Sequence, residues 1–474
     1  MADVPVPRPK LTPQSAREAT AVELHVPKAV LDLLDTLWAG GHAAYVVGGS
    51  LRDVLLARRP HDWDLTTDAL PERIQELFPG SNYENKFGTV AVRRGGDEYE
   101  ITPFRVDHDY ADHRRPHRVE FGGAIEDDLA RRDFTVNAMA WGAPAPDDVA
   151  AGSRPIRTLV DPFGGTADVD ARLLRAVGEP TRRFEEDALR MIRAVRLAAT
   201  LDFTIEPATL AAIRGSASLA AHLSGERIAI ELERLLTAER PSVGLRLMHE
   251  TGLLAVVAPD LAEQPGVPQN KIAGEDLWDH TLRAVDAAAS DRPAVRLAAL
   301  LHDIGKPQAL TEDGHFFDHD RVGAEMAAAF LSRLHVPRSV VDRVHDLVEQ
   351  HMFSYEANWS DAAVRRFMNR VGISALDELF ELREADNAGS GIPRQAGLTE
   401  LRRRVAEQLE AGVALSLRQL AVNGDDLIRE LRLTPGPHVG RILDDLLDAV
   451  IADSALNDRP TLLLMAQSML EDAS

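Results

Sequence analysis

Cysteine does not occur anywhere in the 474 residues, which excludes a disulfide scaffold, a thiolate zinc site and a cysteine nucleophile. No apolar run approaches the roughly 18 residues that a membrane-spanning helix needs. Residues 1–24 carry scattered charges and prolines without a sustained apolar stretch, unlike a secretory signal. Positive charge is in deficit: 53 Lys and Arg face 75 Asp and Glu, a formal net charge of −22. A protein held to nucleic acid by global positive charge is therefore excluded, although local basic patches act through the field at their own site. What is present is a globular balance, 45% hydrophobic and 27% charged, which argues against wholesale disorder. The expectation is a soluble cytoplasmic protein of about three domains with a loose tail over residues 1–24.

Residues 28–40 read as an amphipathic helix, with Val30, Leu31, Leu34 and Leu37 at helical spacing and Gly40 and Gly41 closing it. The run AAYVVGG (43–49) is a short apolar strand ending in two glycines, and 63–67, 89–94 and 98–105 are further strands rich in Val, Ile, Thr and aromatics. From about residue 166 strand signals fade and helical periodicity takes over. The expected organisation is an α/β head over 25–165 with a small mixed sheet, followed by an all-α body. That body divides into helical segments 166–262, 263–395 and 396–474, with Pro/Gly-rich linkers at 263–276 and 390–397. The basic run 401–405 is most simply a solvated helix face.

The most informative stretch is VVGGSLRDVLL…RPHDWDLTT. Gly48 and Gly49 follow a strand and precede a helix, where bare backbone N–H groups can receive a phosphate. Arg52, one turn on, adds a charge-assisted contact to a phosphate oxygen. Asp62 and Asp64 are two apart, so on a strand they share a face. Two such carboxylates repel each other, and a divalent cation with oxygen ligands, magnesium above all, resolves the repulsion. Glu100, on another strand, is a candidate third carboxylate, although Glu98 shares its face.

These residues resemble the class II tRNA nucleotidyltransferases of the DNA-polymerase-beta-like superfamily, with Leu51 where that family usually has Val. The resemblance continues in order: YADHRRPHRVEF (110–121) is similar to the family's flexible loop and following strand, with a basic patch of Arg114, Arg115 and Arg118 as RNA contacts. LARRDFTVNAMA (129–140), LVDPFGG (159–165), EDALRMIRAVR (186–196) and SGERIAIELERLL (224–236) match the motifs that follow. The resemblance implies two-metal nucleotidyl transfer on Asp62, Asp64 and Glu100, which adds CMP and AMP from CTP and ATP to the tRNA 3′ end. It implies nucleotide contacts at Gly49, Arg52, Arg132, Asp187, Arg190, Arg193 and Arg196. Asp187, Arg190 and Arg193 are three apart and would form a strip on one helix face. Asp187 would accept from the exocyclic amino group of cytosine or adenine while Arg190 donates to the neighbouring ring acceptor. Uracil and guanine would instead meet mismatched buried polar groups.

A second constellation lies downstream: His280, then His302-Asp303 with Gly305 and Lys306, then His315 and His319, His345 and His351, and Asp386. This H…HD…H…D order resembles the HD phosphohydrolase domain, a helical bundle that holds one or two transition metals. The resemblance implies His280, His302, Asp303 and Asp386 as ligands, with His319 preferred to His315 downstream. Imidazole with carboxylate suits Mn, Fe, Ni, Co or Zn. In the C-terminal segment, Pro435-Gly436-Pro437 and Gly440 open a helix, either as a glycine turn meeting an RNA phosphate or as a proline-defined helix start. CCA addition leads; poly(A) polymerase or partial CC- or A-addition stays open on the same head. An HD-type metal-dependent phosphohydrolase and a catalytically silent RNA-binding protein are the readings from other classes. The expected partners are tRNA, ATP and CTP, with no membrane and no obligate protein partner.

Overall fold

The computed structural model describes residues 20–21, 24–83, 88–110, 116–147, 155–269, 271–392 and 396–472. In chain order the first elements are β1 (Thr20–Ala21), α1 (Lys28–Ala39), β2 (Ala44–Val47), α2 (Gly49–Leu55), β3 (Asp64–Thr67), α3 (Pro71–Leu77) and β4 (Asn82–Tyr83). They continue with β5 (Val90–Arg94), β6 (Asp97–Pro103), β7 (Arg105–Tyr110), β8 (Pro116–Phe121), α4 (Ile125–Ala130), β9 (Ala140–Ala143), β10 (Thr158–Val160) and α5 (Gly165–Asp170). Eight strands form one sheet in the order β1-β10-β9-β2-β3-β6-β5-β4, while β7 and β8 make a separate ribbon. The sheet is mixed: β3 pairs with β6 in parallel and β2 pairs with β3 and β9 antiparallel. All four residues of β2 are buried, as suits an interior strand covered on both faces, which is why it reads as a continuous apolar run.

Several local expectations are corrected. The strand expected over 63–67 starts at Asp64, so Asp62 lies ahead of it and not on the same strand. The strand expected over 98–105 ends at Pro103, whose ring nitrogen cannot donate to a ladder. Phe104 instead donates its N–H to the Thr67 carbonyl, and β7 begins at Arg105. Strand β9 was not expected, because Ala140-Trp141-Gly142-Ala143 carries no β-branched residue. It forms because β2 offers it an edge, and Gly142 lets the two backbones meet: a Cβ there would stand 2.0 Å from the Ala44 carbonyl oxygen.

After the sheet come α6 (Pro180–Glu186), α7 (Leu189–Leu201), α8 (Pro207–Ser216), α9 (Gly225–Leu236), α10 (Pro241–Glu250) and α11 (Leu253–Val257). The helix expected to carry Asp187, Arg190 and Arg193 together is broken: Asp187 has φ −149° and ψ 104° between α6 and α7. The strip of three is therefore corrected to a turn residue followed by two helical ones.

The chain divides into two compact units, the second beginning at Asp260. Its helices are α12 (Leu277–Ala287), α13 (Pro293–Leu301), α14 (Lys306–Ala309), α15 (His319–Arg333), α16 (Arg338–Gln350), α17 (Asp361–Val371) and α18 (Leu376–Gly389). They are followed by α19 (Ala396–Glu410), α20 (Gly424–Leu431), α21 (Pro437–Ala452) and α22 (Arg459–Asp472). Helix α13 packs on α12, α16 and α18, and α15 packs on α16. A separate core of Leu427, Leu446, Val450, Leu462 and Ala466 holds the last helices together. Helix α21 opens with Pro437 in its first turn, a position where the missing N–H costs nothing. The basic run at 401–405 is not simply solvated: Leu401 is buried, and Arg404 reaches Asp361 and the Trp359 carbonyl. No helix among the described residues is long and apolar enough to cross a membrane.

The close approach at Gly142 is testable. Gly142→Ala should lower the unfolding free energy by about 1–3 kcal/mol, the usual size of an overpacking strain, read as a lower denaturant midpoint with an unchanged slope.

Candidate functional site

Strand β2 ends at Val47 opposite Asp64, and Asp64 lies opposite Glu100 of β6. Residues in register on paired strands project to the same face, so two carboxylates share the sheet edge where Gly48 turns the chain into α2. Glu98 is engaged by Arg93 at 3.0 Å, which leaves Glu100 as the one in register with Asp64. Asp64 keeps an exposed face at the start of β3, yet the protein packed around its carboxyl raises it above its ordinary value, against the pull of Arg132, and Asp62 adds to the rise. A carboxylate group that resists ionisation beside two others is a donor set that a hard divalent cation relieves.

Gly48 has φ +77°, and a Cβ on it would stand 3.0 Å from Arg132 Nη1 and 3.4 Å from Asp64 Oδ2. Any side chain would thus be strained and would fill the space between Arg132 and the carboxylates. Arg52, expected at a phosphate oxygen, keeps its guanidinium beside this turn, with Nη2 3.3 Å from where a Cβ on Gly49 would lie; its Nε donates to Asp53 at 2.9 Å and Nη1 donates to Asn137 Oδ1 at 2.7 Å. It braces the Gly48-Gly49 turn from behind.

A polar chain continues from there. Asn137 Nδ2 donates to Asp133 Oδ1 at 3.1 Å, and Arg193 Nε donates to Asp133 Oδ2 at 2.9 Å. Arg193 Nη1 then lies 3.4 Å from Glu231 Oε1, and Arg196 Nε lies 3.1 Å from Glu231 Oε2. Burial pushes the Asp133 carboxyl up, but Arg193 and Asn137 outweigh it and hold it well below the usual carboxylate range. Arg193 and Arg196 are therefore committed to protein carboxylates. Asp187 accepts from Leu189 N at 3.1 Å and from Arg227 Nη2 at 2.8 Å. Arg190 donates to Glu186 Oε2 at 2.9 Å and to the Arg131 carbonyl at 3.1 Å. Arg114 and Arg115 lie outside the described residues, and Arg118 sits on β8 opposite His108.

In the second unit, helices α12, α13, α15, α16 and α18 bring His280, His302, Asp303, His319, His351 and Asp386 together, all buried. His280 Nε2 lies 3.0 Å from His302 Nε2, 3.2 Å from Asp303 Oδ2 and 3.4 Å from Asp386 Oδ1. On the other side of Asp303, Oδ1 lies 3.5 Å from His319 Nε2 and 3.7 Å from His351 Nε2. His302, His319 and His351 each point Nδ1 at the carbonyl three residues back, at 2.8, 2.8 and 2.6 Å. A carbonyl only accepts, so each Nδ1 carries the proton and each Nε2 presents a lone pair to the cluster. Burial lowers the affinity of His319 for a second proton, and its Nε2 and that of His351 are buried without a hydrogen bond. Burial pushes the Asp303 carboxyl up, but His302 and Lys306 outweigh it and hold it well below its usual value. Two groups of donors, His280-His302-Asp303 and Asp303-His319-His351, each have the spacing of a metal site. His315 is exposed, and His345 pairs with exposed acids outside the cluster.

Sequence reasoning did not single out Asp128, Asp133, Asn137, Arg227, Glu231, Gln269 or Lys271. Glu231 had a readable signal, since it sits on the apolar stripe Ile228, Leu232, Leu235 of α9, where an acid must find a buried partner. Lys271 and Gln269 come from the stretch read as a linker; Lys271 Nζ lies 3.7 Å from Asp386, and Gln269 Nε2 donates to Asp303 at 3.4 Å. Such approaches are set by tertiary folding and leave no local pattern.

Residues 44–175 match the poly A polymerase head domain model, 202–264 a probable RNA- and SrmB-binding site of polymerase A, and 317–466 a tRNA nucleotidyltransferase domain 2. The chain is 34% identical over 441 residues to the CCA-adding enzyme of Geobacillus kaustophilus, covering 90% of this chain and 94% of that protein. It is 32% identical over 441 residues to the CCA-adding enzyme of Streptococcus thermophilus, covering 93% and 96%. Its fold is similar to that of the Bacillus stearothermophilus CCA-adding enzyme solved with CTP: TM-score 0.69, 31% identity, covering 94% of this chain and 98% of that one. The Thermotoga maritima CCA-adding enzyme solved with tRNA shares the fold at TM-score 0.54 and 20% identity, covering 94% and 96%.

The Asp133 pair has a pH consequence. Its folded pKa is depressed, so its contribution is complete above the unfolded value of about 4 and is lost as pH falls below it. Asp133→Asn should cost about 3 kcal/mol at neutral pH by stranding Arg193. It should also flatten the fall in stability below about pH 4, both read by urea unfolding across pH.

Proposed function

The chain belongs to the bacterial CCA-adding enzymes, and from that premise we propose that it extends tRNA 3′ ends with CMP and AMP taken from CTP and ATP, releasing pyrophosphate. The observation that carries this reading is the sheet edge where Asp64, in register with Glu100, meets Gly48 and Arg132. Asp62, Asp64 and Glu100 would hold magnesium, which when bound would supply Lewis acidity to the attacking 3′-hydroxyl and to the leaving pyrophosphate. The Gly48-Gly49 turn leaves room for the triphosphate, and Arg132 meets its charge. Arg52, by holding Asn137 and Asp53, keeps that turn in place. Asp187 and Arg190 read the amino-donor and ring-acceptor edge shared by cytosine and adenine. Asp187 is oriented by Arg227 and Leu189 N, and Arg190 by Glu186. Arg193 and Arg196 act one layer back, fixing α7 against α9 through Glu231. The basic residues Arg114, Arg115 and Arg118 extend the RNA-binding surface.

The second unit carries an HD-type domain on this reading, with the head over 25–165, a helical connection over 166–262 and a C-terminal tail over 396–474. His280, His302, Asp303 and Asp386 would hold one transition metal, and Asp303 with His319 and His351 would hold a second. The unpartnered Nε2 atoms of His319 and His351 support the assignment, because a buried lone pair without a donor is costly. Poly(A) addition remains the second reading, favoured by the match of residues 44–175 to a poly A polymerase head.

Two experiments check these statements. With magnesium and tRNA transcripts ending before C, CC or CCA, the protein should add C, C and A and then stop; runs of A would move the function to polyadenylation. Asp62→Ala with Asp64→Ala should abolish incorporation in a protein that still unfolds cooperatively. Elemental analysis of protein loaded with Mn, Co, Ni or Zn should find bound metal, lost in His302→Ala with Asp303→Ala, while nucleotide incorporation persists.

A further inference from the structure

Asp128 lies on α4 with no exposed side-chain surface, although nothing in the sheet's own hydrogen bonding calls for an acid there. Its Oδ1 accepts from Arg131 Nε at 2.9 Å and Nη2 at 2.6 Å, and its Oδ2 accepts from Arg132 Nη2 at 3.1 Å. Burial pushes the carboxyl up, yet Arg132 and Arg131 outweigh it and keep it ionised. One carboxylate thus serves two guanidinium groups, and Asp128 alone does not match the charge of both.

The surplus belongs to Arg132. Arg131 closes on Asp128 through two nitrogens, whereas Arg132 is held by one. Arg132 Nε is buried without a hydrogen-bond partner among the described residues. Arg132 Nη1 stands within 3.0 Å of the point where a Cβ on Gly48 would lie. Nη1 of Arg132 therefore sits beside the glycine turn that leaves room for a triphosphate. Asp64 competes for the same guanidinium, since its Oδ2 stands 3.4 Å from that same point beside Gly48. A free Arg132 would pair with Asp64 and occupy a carboxylate that the metal needs.

We propose that Asp128 is a positioning residue: it holds Arg132 off the metal carboxylates and aims its remaining N–H groups at the nucleotide's triphosphate. This rests on the assignment of Arg132 to the triphosphate made above. A merely structural buried acid would be felt equally in every kinetic parameter. A positioning residue is felt where the nucleotide binds.

The test compares wild type, Asp128→Asn, Asp128→Glu and Arg131→Gln in the full-length protein. It uses CTP binding by equilibrium dialysis and steady-state incorporation into a tRNA transcript lacking CCA. Asp128→Asn should weaken CTP binding and raise its KM about tenfold, the effect of misaligning one charge-assisted contact. Its kcat should stay within about threefold and its KM for tRNA should not change. Asp128→Glu should restore part of the CTP affinity. Arg131→Gln removes the other partner of Asp128 and should leave the CTP KM unchanged. Equal losses in Asp128→Asn and Arg131→Gln, or a folded Asp128→Asn with wild-type CTP affinity, would overturn the inference alone. A wild-type protein that binds no CTP would remove the Arg132 assignment and this inference with it.

Discussion

Asp133 is buried and still ionised, because Asn137, Arg193 and the Phe134 backbone N–H all donate to it. From this carboxylate one line of contacts runs through Asn137 to Arg52 and the Gly48-Gly49 turn, and another runs through Arg193 to Glu231 and Arg196. The glycine turn beside Asp64 and the helices that follow Asp187 thus share a single charge. Buried polar networks of this kind are stronger than their separate pairs when complete and costly when broken. The distance between the phosphate turn and the base-reading residues is held by directional bonds, which specify geometry more narrowly than apolar packing alone.

The two halves of the chain solve the cost of burying charge in opposite ways. In the first, carboxylates are matched to arginines: Asp128 to Arg131 and Arg132, Asp133 to Arg193, Glu231 to Arg193 and Arg196. In the second, Asp303 and Asp386 gather four histidines, of which His302, His319 and His351 spend their Nδ1 protons on backbone carbonyls. An arginine partner neutralises permanently and closes the site, whereas a neutral imidazole leaves a lone pair available to a cation.

This difference also explains what could be read from the sequence. The GGSLRD turn and the HD pair are local, so motif and resemblance could name Gly48, Asp64, His302 and Asp303 as candidates, while Glu100 was read beside Glu98 on the same strand face. Asp62 was read onto the strand because alternation counts residues and cannot see where hydrogen bonding begins. Asp187 was read into a helix because Asp187, Arg190 and Arg193 have helical spacing. The break after Glu186 is made by the Asp187 side chain bonding Leu189 N and Arg227, and one of those partners is 40 residues away. His351 could not be chosen over His345 on the same stretch, because only the packing of α15 on α16 turns one inward. Asp133 and Glu231 stood inside recognised motifs without a role, since an ion pair between distant segments leaves no mark on either.

On the proposed reading one chain would carry two metal sites, and their donor sets differ in a way that would keep each ion in its place. The sheet-edge set is all carboxylate, and Asp64 and Glu100 remain exposed; hard oxygen ligands open to water suit magnesium, which retains part of its hydration shell. The helical set mixes imidazole with carboxylate and is buried, and nitrogen donors favour later transition metals by the ordinary order of affinities. Lys306 at 2.7 Å and Gln269 at 3.4 Å from Asp303 crowd that set further, leaving little room for a hydrated ion. If both sites fill as proposed, ligand chemistry and water access would sort the two cations by themselves, and millimolar-scale magnesium at the carboxylates would not displace an ion from the histidines.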